Sequence, residues 1–403
     1  MKKQTTMRQK AFLFLMILGV ISLLSDFTHE GARSIYGPFL GAIGASAFLV
    51  SFTAGLGEFI GQALRILTGI IADKTKKYWF MMIIGYAINL LVIPLLAFVD
   101  ASIWQVAIIL ILIERVGKAI RAPAKSALTS FTSPHLGAGK AFAIQEALDQ
   151  LGAFLGPLFV FLVLSLRTGS QISGYQLAFG LLGIFAVLTL VVLVMAKVKY
   201  PHPDEFETKT LVKGFKGNKS FVWYLIAISF LAFGFIDYPV IGYHLSTAVP
   251  IEVEYIPLLY SFAMGIDAIS ALFFGHMYDK IGVKALMIST FVSLLFAPVF
   301  FLVPGLVGII VGVFLWGIGM GAQESILKAV VSGIVSKDKR ATAYGIFNSV
   351  FGLSWFLGSM MIGYLYQVQM VYVIAFSVIT QAISILLLVY FNRIHPFQKE
   401  VLS

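Results

Sequence analysis

The sequence GIIADKTKK at residues 69–77 recurs in altered form as GHMYDKIGVK at residues 275–284. Each copy follows an apolar segment, and the copies begin 206 positions apart (275 minus 69), about half of the 403-residue chain. Gly156 and Gly358, each inside an apolar segment, repeat at nearly the same spacing. A repeat of half the chain length is typical of membrane proteins built from two parallel copies of one bundle. The sequence therefore predicts two similar halves.

The composition is that of an integral membrane protein. The chain is 59% hydrophobic and 12% charged, with a mean hydropathy of +0.93, whereas a soluble domain carries about 25% charged residues. A helix needs about 20 apolar residues to cross a bilayer. Twelve such segments are found at residues 11–40, 47–72, 79–98, 104–124, 139–165, 176–196, 221–246, 255–277, 285–303, 308–331, 341–366 and 371–391. We predict an all-α fold of twelve transmembrane helices in two pseudo-symmetric six-helix bundles.

One long hydrophilic stretch divides the chain. Residues 197–220 carry two prolines and charges of both signs, a composition typical of a linker. We predict an N-terminal bundle at residues 1–196, a cytoplasmic linker at residues 197–220 and a C-terminal bundle at residues 221–403.

The basic residues predict the orientation. The net charge of +10 comes from 29 Lys and Arg against 19 Asp and Glu. With the N-terminus in the cytoplasm, most basic residues fall in cytoplasmic loops, and only Arg167 is external. The positive-inside rule therefore predicts a multi-pass protein of the cytoplasmic membrane with both termini in the cytoplasm. The basic balance is a topology signal, so we expect the lipid bilayer as a partner and no nucleic acid.

In its repeat and loops the chain resembles the major facilitator superfamily over essentially its whole length. The residues that match the family's loop signature are Gly69, Asp73 and Lys77 in the first copy and Gly275, Asp279, Gly282 and Lys284 in the second. Lys76 stands where the first copy should have a glycine. The resemblance implies that these loops latch the cytoplasmic side, and that a functional monomer binds a small molecule and rocks about a central site.

Two further motifs carry the resemblance. Gly152 and Gly156-Pro157 in the fifth span are similar to the family's antiporter motif, although Val160 and Phe161 replace two expected glycines. A basic motif in the fourth span is similar to that of bacterial members and comprises Arg115, Lys118 and Arg121. The first motif implies antiport, and the substitutions weaken that implication.

Four polar residues interrupt the first span. Asp26, His29, Glu30 and Arg33 stand at helical offsets 0, +3, +4 and +7, so they share one face. A charged side chain at bilayer depth costs roughly 2.5–3.5 kcal/mol on insertion scales, so this face must meet protein or a hydrated cavity. Two ionised acids four residues apart repel each other, which favours proton binding by one of them. We predict a proton-coupling site at Asp26 and Glu30, modulated by His29 and Arg33.

Other polar residues inside the spans are candidates for proton coupling or substrate binding. They are Glu58, Arg65, Glu146, Asp149, Asp237, Gln323, Glu324 and Lys328. Glu146 and Asp149 either share protons or attract the fourth-span bases, and Asp237 shares a helical face with His244. The alternative for each is a static ion pair that holds the bundle together.

Several kinds of chemistry have no signature in the chain. It lacks a G-x-x-x-x-G-K-[ST] phosphate loop, an H-E-x-x-H metal helix, a G-x-S-x-G elbow and any cysteine. We therefore expect no enzyme activity, no cofactor and no metal, with a proton or other ion gradient as the energy source.

Together these features predict a secondary active transporter. We expect it to move a small organic solute by alternating access, with proton-coupled antiport (efflux) as the leading mode. Proton-coupled uptake by symport and a non-transporting membrane receptor or scaffold are the alternatives. Nine acids and six bases within the spans do not select the charge of the substrate.

Overall fold

The computed structural model describes residues 7–202, 219–335 and 340–394, and every regular element in these ranges is helical. Most of the predicted linker at residues 197–220 lies outside the described residues. The helices are α1 (Met7–Ala42), α2 (Ala47–Thr75), α3 (Tyr78–Leu91), α4 (Trp104–Phe131), α5 (Ser133–Leu136), α6 (Ala138–Ser165), α7 (Gln171–Lys199), α8 (Lys219–Gly234), α9 (Tyr238–Thr247), α10 (Tyr255–Ile281), α11 (Val283–Leu294), α12 (Phe296–Leu302), α13 (Gly305–Ile334), α14 (Arg340–Val368) and α15 (Met370–Ile394).

The twelve predicted spans are confirmed. Eleven helical segments are long and apolar enough to cross a membrane, counting Tyr78–Phe98, Lys219–Thr247 and Val283–Leu302 as one span each. The remaining span is α4, which is 28 residues long and carries the basic fourth-span motif. The helix ends agree with the prediction within five residues, except that α4 ends at Phe131, seven residues beyond the predicted end (131 minus 124).

Three spans are interrupted, each just before a proline. The third span changes to a 3₁₀ helix at Ile93–Phe98, which contains Pro94. The seventh breaks between α8 and α9, before Pro239, and the ninth breaks between α11 and α12, before Pro298. Proline has no N–H for the carbonyl four residues earlier, and its ring clashes with that carbonyl. The helical ladder therefore stops at these places.

The break in the seventh span corrects one prediction. Asp237 lies outside the helix that begins at Tyr238, so it does not share a helical face with His244. Its carboxylate accepts a hydrogen bond from the Tyr238 N–H at 2.8 Å. Trp316 donates to the Ile236 carbonyl, also at 2.8 Å. Side chains thus satisfy the backbone groups that the break leaves open.

The chain folds into two compact units. The first comprises the described parts of Met1–Ala45, Ile60–Thr210 and Gly242–Ser261. The second comprises the described parts of Ser46–Phe59, Leu211–Ile241 and Phe262–Ser403. Helices α2, α9 and α10 therefore contribute residues to both units.

The internal repeat is visible in helix packing. A Cβ at Gly156 of α6 would collide with the Phe27 carbonyl of α1, and a Cβ at Gly358 of α14 would collide with the Phe233 carbonyl of α8. The first contact lies in the first unit and the second in the second unit. Each glycine thus permits the same close approach of two helices.

The repeated loops share a residue with a positive φ and one backbone hydrogen bond. Lys76 has a φ of 55° and Gly282 a φ of 61°, and these residues are 206 positions apart (282 minus 76). The Lys76 N–H donates to the Ala72 carbonyl at 2.8 Å, and the Gly282 N–H donates to the Tyr278 carbonyl at 2.8 Å. The left-handed conformation explains why a glycine is expected at this position. A lysine adopts it in the first loop.

Replacing Gly156 by alanine tests the close packing of α1 and α6. Because the new methyl group meets the Phe27 backbone, we expect a loss of about 1–3 kcal/mol in stability. Thermal unfolding of the purified protein in detergent measures this as a lower midpoint. Gly61→Ala is the matched control, because a Cβ there meets no atom within 4 Å. Equal midpoints for the two variants would contradict the packing argument.

Candidate functional site

Charged side chains come together where α1, α4 and α6 pack in the first unit. The charge cluster comprises Asp26, His29, Glu30, Arg33, Glu114, Arg115, Lys118, Arg121, Lys125 and Asp149. On α1, His29, Glu30 and Arg33 are buried, and the Asp26 side chain is 19% exposed. The helical spacing on α1 therefore directs these four residues into protein, as the cost of placing charges in lipid requires.

Asp26 forms an ion pair with a firmly held arginine. Arg121 Nη2 lies 3.3 Å from Asp26 Oδ1. Arg121 also donates from Nε to Asn89 Oδ1 at 3.0 Å and from Nη1 to the Tyr86 hydroxyl at 3.2 Å. Its guanidinium carbon lies 4.5 Å from the centre of the Tyr86 ring, a cation–π distance. Arg121 thus has partners on α3 that do not depend on Asp26.

His29 occupies the middle of the charge cluster. Its Nδ1 lies 2.7 Å from Glu114 Oε1, and its Nε2 lies 2.9 Å from Lys118 Nζ and 3.4 Å from Arg115 Nη1. Lysine and arginine only donate hydrogen bonds, so Nε2 is the acceptor and the ring proton is on Nδ1, facing Glu114. Asn89 also donates to the Glu114 carboxylate and carbonyl. The network therefore joins α1, α3 and α4.

Glu30 lies close to four polar neighbours. Its Oε2 accepts a hydrogen bond from the Tyr260 hydroxyl at 2.7 Å and lies 3.5 Å from Arg33 Nη1. Its Oε1 lies 3.5 Å from His29 Nε2 and 3.9 Å from Lys118 Nζ. Asp26 and Glu30 each have a separate basic partner, so they do not form an isolated acid pair. Their proton-coupling role stays a prediction.

The fifth span contributes one acid to the charge cluster. Asp149 Oδ2 lies 2.6 Å from Lys125 Nζ of α4. Of the two alternatives given for Glu146 and Asp149, shared protons or attraction to a base of the fourth span, this contact of Asp149 is of the second kind. Glu146 is exposed. The amide of Gln145 donates to the Leu15 carbonyl of α1 at 2.8 Å. This part of α6 therefore binds both α1 and α4.

The other predicted transport residues lie on α2 and α13. Glu58 and Arg65 are half-buried on α2. On α13, Gln323 is buried, whereas Glu324 and Lys328 are exposed. The role of each residue in binding or coupling stays a prediction.

The predicted gate-loop residues occupy matching positions in the two loops. The charged ones, Asp73, Lys77, Asp279 and Lys284, are all exposed. A Cβ at Gly69 would be in ordinary contact with Pro123 of α4, and one at Gly275 with Ser325 of α13. The loops thus repeat each other in geometry, and their latch role stays a prediction.

Sequence reasoning missed three uncharged residues of the site. Asn89 was the most detectable, because an amide in an apolar span needs a polar partner. Tyr86 and Tyr260 gave no such signal, because tyrosines are common in membrane helices as packing or interface residues. Both hydroxyls nevertheless bind members of the charge cluster.

The charges of the cluster nearly cancel. It holds the five bases Arg33, Arg115, Lys118, Arg121 and Lys125 and the four acids Asp26, Glu30, Glu114 and Asp149. Such a balance lets the charges lie within a membrane bundle, because each is compensated nearby. In the described parts of the chain, no three His, Asp or Glu side chains are close enough to hold a metal ion.

Twelve spans, two sets of repeated contacts and a compensated charge cluster define a membrane transport protein with an internally duplicated fold. The sequence profile of the Major Facilitator Superfamily matches residues 12–266 and 235–402, and the chain belongs to this family. Members of this family transport small-molecule substrates across membranes.

The relatives cover nearly the whole chain. An uncharacterized protein of Mycobacterium tuberculosis is 34% identical over 369 residues, which are 89% of this chain and 88% of that protein. An uncharacterized MFS-type transporter of Methanocaldococcus jannaschii is 29% identical over 398 residues, which are 93% of this chain and 94% of that protein.

Solved structures show the same fold. A variant of the nucleoside transporter NupG superposes with a TM-score of 0.75 at 15% identity, covering 95% of this chain and 100% of that chain. The inward-open xylose transporter XylE from E. coli has a TM-score of 0.72 at 15% identity, covering 97% and 98%. A bacterial homologue of the human lysosomal transporter Spinster has a TM-score of 0.71 at 15% identity, covering 95% and 98%.

Arg121→Lys tests whether the guanidinium holds the charge cluster together. A lysine cannot reproduce the separate bonds to Asn89, Tyr86 and Asp26. We expect a loss of about 2–4 kcal/mol in stability, because buried partners are left without a donor. Thermal unfolding in detergent measures this loss as a lower midpoint.

The matched control for this prediction is Arg167→Lys. Arg167 Nη2 lies 3.5 Å from Glu254 Oε2, and its side chain is 26% exposed. We expect a change of about 0–1 kcal/mol there. If Arg121→Lys is as mild as this control, Arg121 does not organise the cluster.

Proposed function

We propose that this protein is a secondary active transporter that moves a small organic solute by alternating access and couples it to protons. The observation that carries the proposal is the ion pair between the partly exposed Asp26 and the buried Arg121. Asp26 is the proposed proton-binding group, and Glu30 is the second acid of the same site.

Protonation of Asp26 would break one contact and leave the rest of the network in place. Arg121 would keep its hydrogen bonds to Asn89 and Tyr86. A buried cation that lost its last partner would cost several kcal/mol, and these two partners reduce that cost. The pair between α1 and α4 is therefore suited to repeated breaking and reforming. The charges acting on Asp26 also include those of Lys118, Lys125 and Asp149.

We propose an ion gradient rather than nucleotide hydrolysis as the energy source, with no cofactor. The chain has no phosphate-binding loop. One proton moved through a potential of about 100 mV releases about 2.3 kcal/mol. Each unit of pH difference adds about 1.4 kcal/mol. A single proton per cycle is therefore sufficient to sustain a gradient of a few hundredfold.

For the direction, we propose antiport, with the solute leaving the cell as protons enter. The support is the similarity of the fifth-span glycines to the antiporter motif. The structure gives Gly156 a packing role against α1, which is compatible with either direction. Uptake by symport is the second candidate, since one solved protein of this fold is a D-xylose–proton symporter.

We propose that the monomer is the transporting unit and that it resides in the cytoplasmic membrane with both termini in the cytoplasm. The distribution of Lys and Arg supports the orientation. The exposed basic loops after α2 and α10 would then lie on the cytoplasmic side, and the loop at Arg167 on the external side.

Proton flux in proteoliposomes tests the coupling. The protein is reconstituted with a pH dye inside, and solute gradients are imposed from a small library of organic cations, anions and neutral amphiphiles. We expect a solute-dependent pH change that falls at least tenfold in Asp26→Asn, because the amide cannot exchange a proton at neutral pH. The sign of the pH change separates antiport from symport.

Asp100→Asn is the matched control for this experiment. Asp100 lies outside the membrane spans, and Ser102 donates to its carboxylate from its N–H at 2.8 Å and its hydroxyl at 2.5 Å. These bonds hold the pKa of Asp100 below its ordinary value, so it stays ionised during the assay. If solute-dependent proton movement persists in Asp26→Asn, Asp26 is excluded as the coupling group. Solute binding without flux would favour a receptor.

Thiol labelling tests the orientation, because the chain has no cysteine of its own. Thr168→Cys and Thr75→Cys place single thiols at exposed threonines beside α6 and at the end of α2. In intact cells we expect a membrane-impermeant maleimide to label Thr168→Cys at least tenfold faster than Thr75→Cys. After permeabilisation both should react. The reverse preference would invert the topology.

A further inference from the structure

Tyr260 joins the charge cluster to the beginning of the eighth span. The tyrosine is completely buried, and its hydroxyl donates to Glu30 Oε2 at 2.7 Å. It lies in the first turns of α10, within the segment Gly242–Ser261 that belongs to the first unit. We propose that Tyr260 is a positioning residue that transmits the charge state of Glu30 to α10, a proposal that rests on the proposed proton-coupled transport.

Two other polar contacts hold the same end of α10, and they do not involve the charge cluster. The Ser261 hydroxyl donates to the Phe154 carbonyl of α6 at 2.8 Å. Glu254 Oε2 lies 3.5 Å from Arg167 Nη2, in a partly exposed pair. The acceptor for Ser261 is a backbone carbonyl, and the pair of Glu254 and Arg167 lies beyond the end of α6. Their strength does not depend on Glu30.

The Tyr260 bond differs because its acceptor is a charged member of the cluster. A hydroxyl bound to a carboxylate forms a bond about twice as strong as a neutral pair. A cationic group of a solute that binds beside Glu30 would therefore compete for the carboxylate and weaken its bond to Tyr260. Because Tyr260 lies in the second turn of α10, which begins at Tyr255, a change at Tyr260 alters how the start of this helix packs in the first unit.

Lys118 connects this bond to the proposed proton-binding acid. Its ammonium lies 3.9 Å from Glu30 Oε1 and also interacts electrostatically with Asp26. Neutralising Asp26 removes one of the two acids that act on Lys118, so its interaction with Glu30, whose other carboxylate oxygen binds Tyr260, becomes the more important one. The groups that face Glu30 are His29 and Arg33 from α1, Lys118 from α4 and Tyr260 from α10.

The test uses a single cysteine to report how tightly the start of α10 packs in the first unit. Ile256→Cys places a cysteine at a completely buried position near the start of α10, and Ala248→Cys supplies an exposed reference. Maleimide labelling of the protein in nanodiscs is measured as the ratio of the two rates, which removes the dependence of thiol reactivity on pH.

We expect Glu30→Gln to raise this ratio about five- to tenfold, because a charge-assisted bond becomes a neutral one. Tyr260→Phe should raise it by a similar factor, and the double variant should add little, because both changes act on the same bond.

Tyr36→Phe is the matched control. Tyr36 is a buried tyrosine of α1 near the same charges, and its hydroxyl has no hydrogen-bond partner among the described residues. It should leave the labelling ratio unchanged. Additive effects of Glu30→Gln and Tyr260→Phe, or equal effects of Tyr260→Phe and Tyr36→Phe, would overturn the proposal.

The labelling assay needs no transport, so the two proposals fail separately. Non-additive labelling in a protein that moves no protons would retain the Tyr260 contact and reject proton coupling. Proton-coupled flux with additive labelling would retain the coupling and reject the role of Tyr260.

Discussion

Every charge placed inside a hydrocarbon layer needs a partner, and this requirement organises the first unit. Four acids and five bases from α1, α4 and α6 compensate one another at short distances, from 2.6 Å for Lys125 and Asp149 to 3.9 Å for Lys118 and Glu30. Removal of one member exposes its partner to a low-dielectric medium. A change in the charge of one member therefore alters the balance of the others.

The compensation depends on how closely the helices approach. Gly152 and Gly156 let the α6 backbone contact the α1 backbone at Leu23 and Phe27, and Phe27 is the residue next to Asp26. Gly358 serves the equivalent purpose in the second unit, where it faces Phe233. The repeat therefore preserves the packing of the helices, while the dense charge network described above lies in the first unit. The two copies therefore share this helix packing, whereas the charge cluster belongs to the first.

Much of the fold was predictable because hydropathy and the helical period are local properties. They located the twelve spans and the polar face of Asp26, His29, Glu30 and Arg33. The breaks before Pro239 and Pro298 were not predicted, since apolar composition continues through them. The sequence did not identify the residues that contact Glu30 and Asp149, for a different reason. Tyr260 is 230 positions from Glu30, and no periodicity within one helix specifies a contact at that separation.

The left-handed backbone at Lys76 makes the two repeated loops energetically unequal. For a residue with a Cβ a positive φ costs about 1–2 kcal/mol, whereas Gly282 adopts one at almost no cost. The loop after α2 therefore holds backbone strain that the loop after α10 does not. A single side chain thus gives two copies of one structural unit different local stabilities.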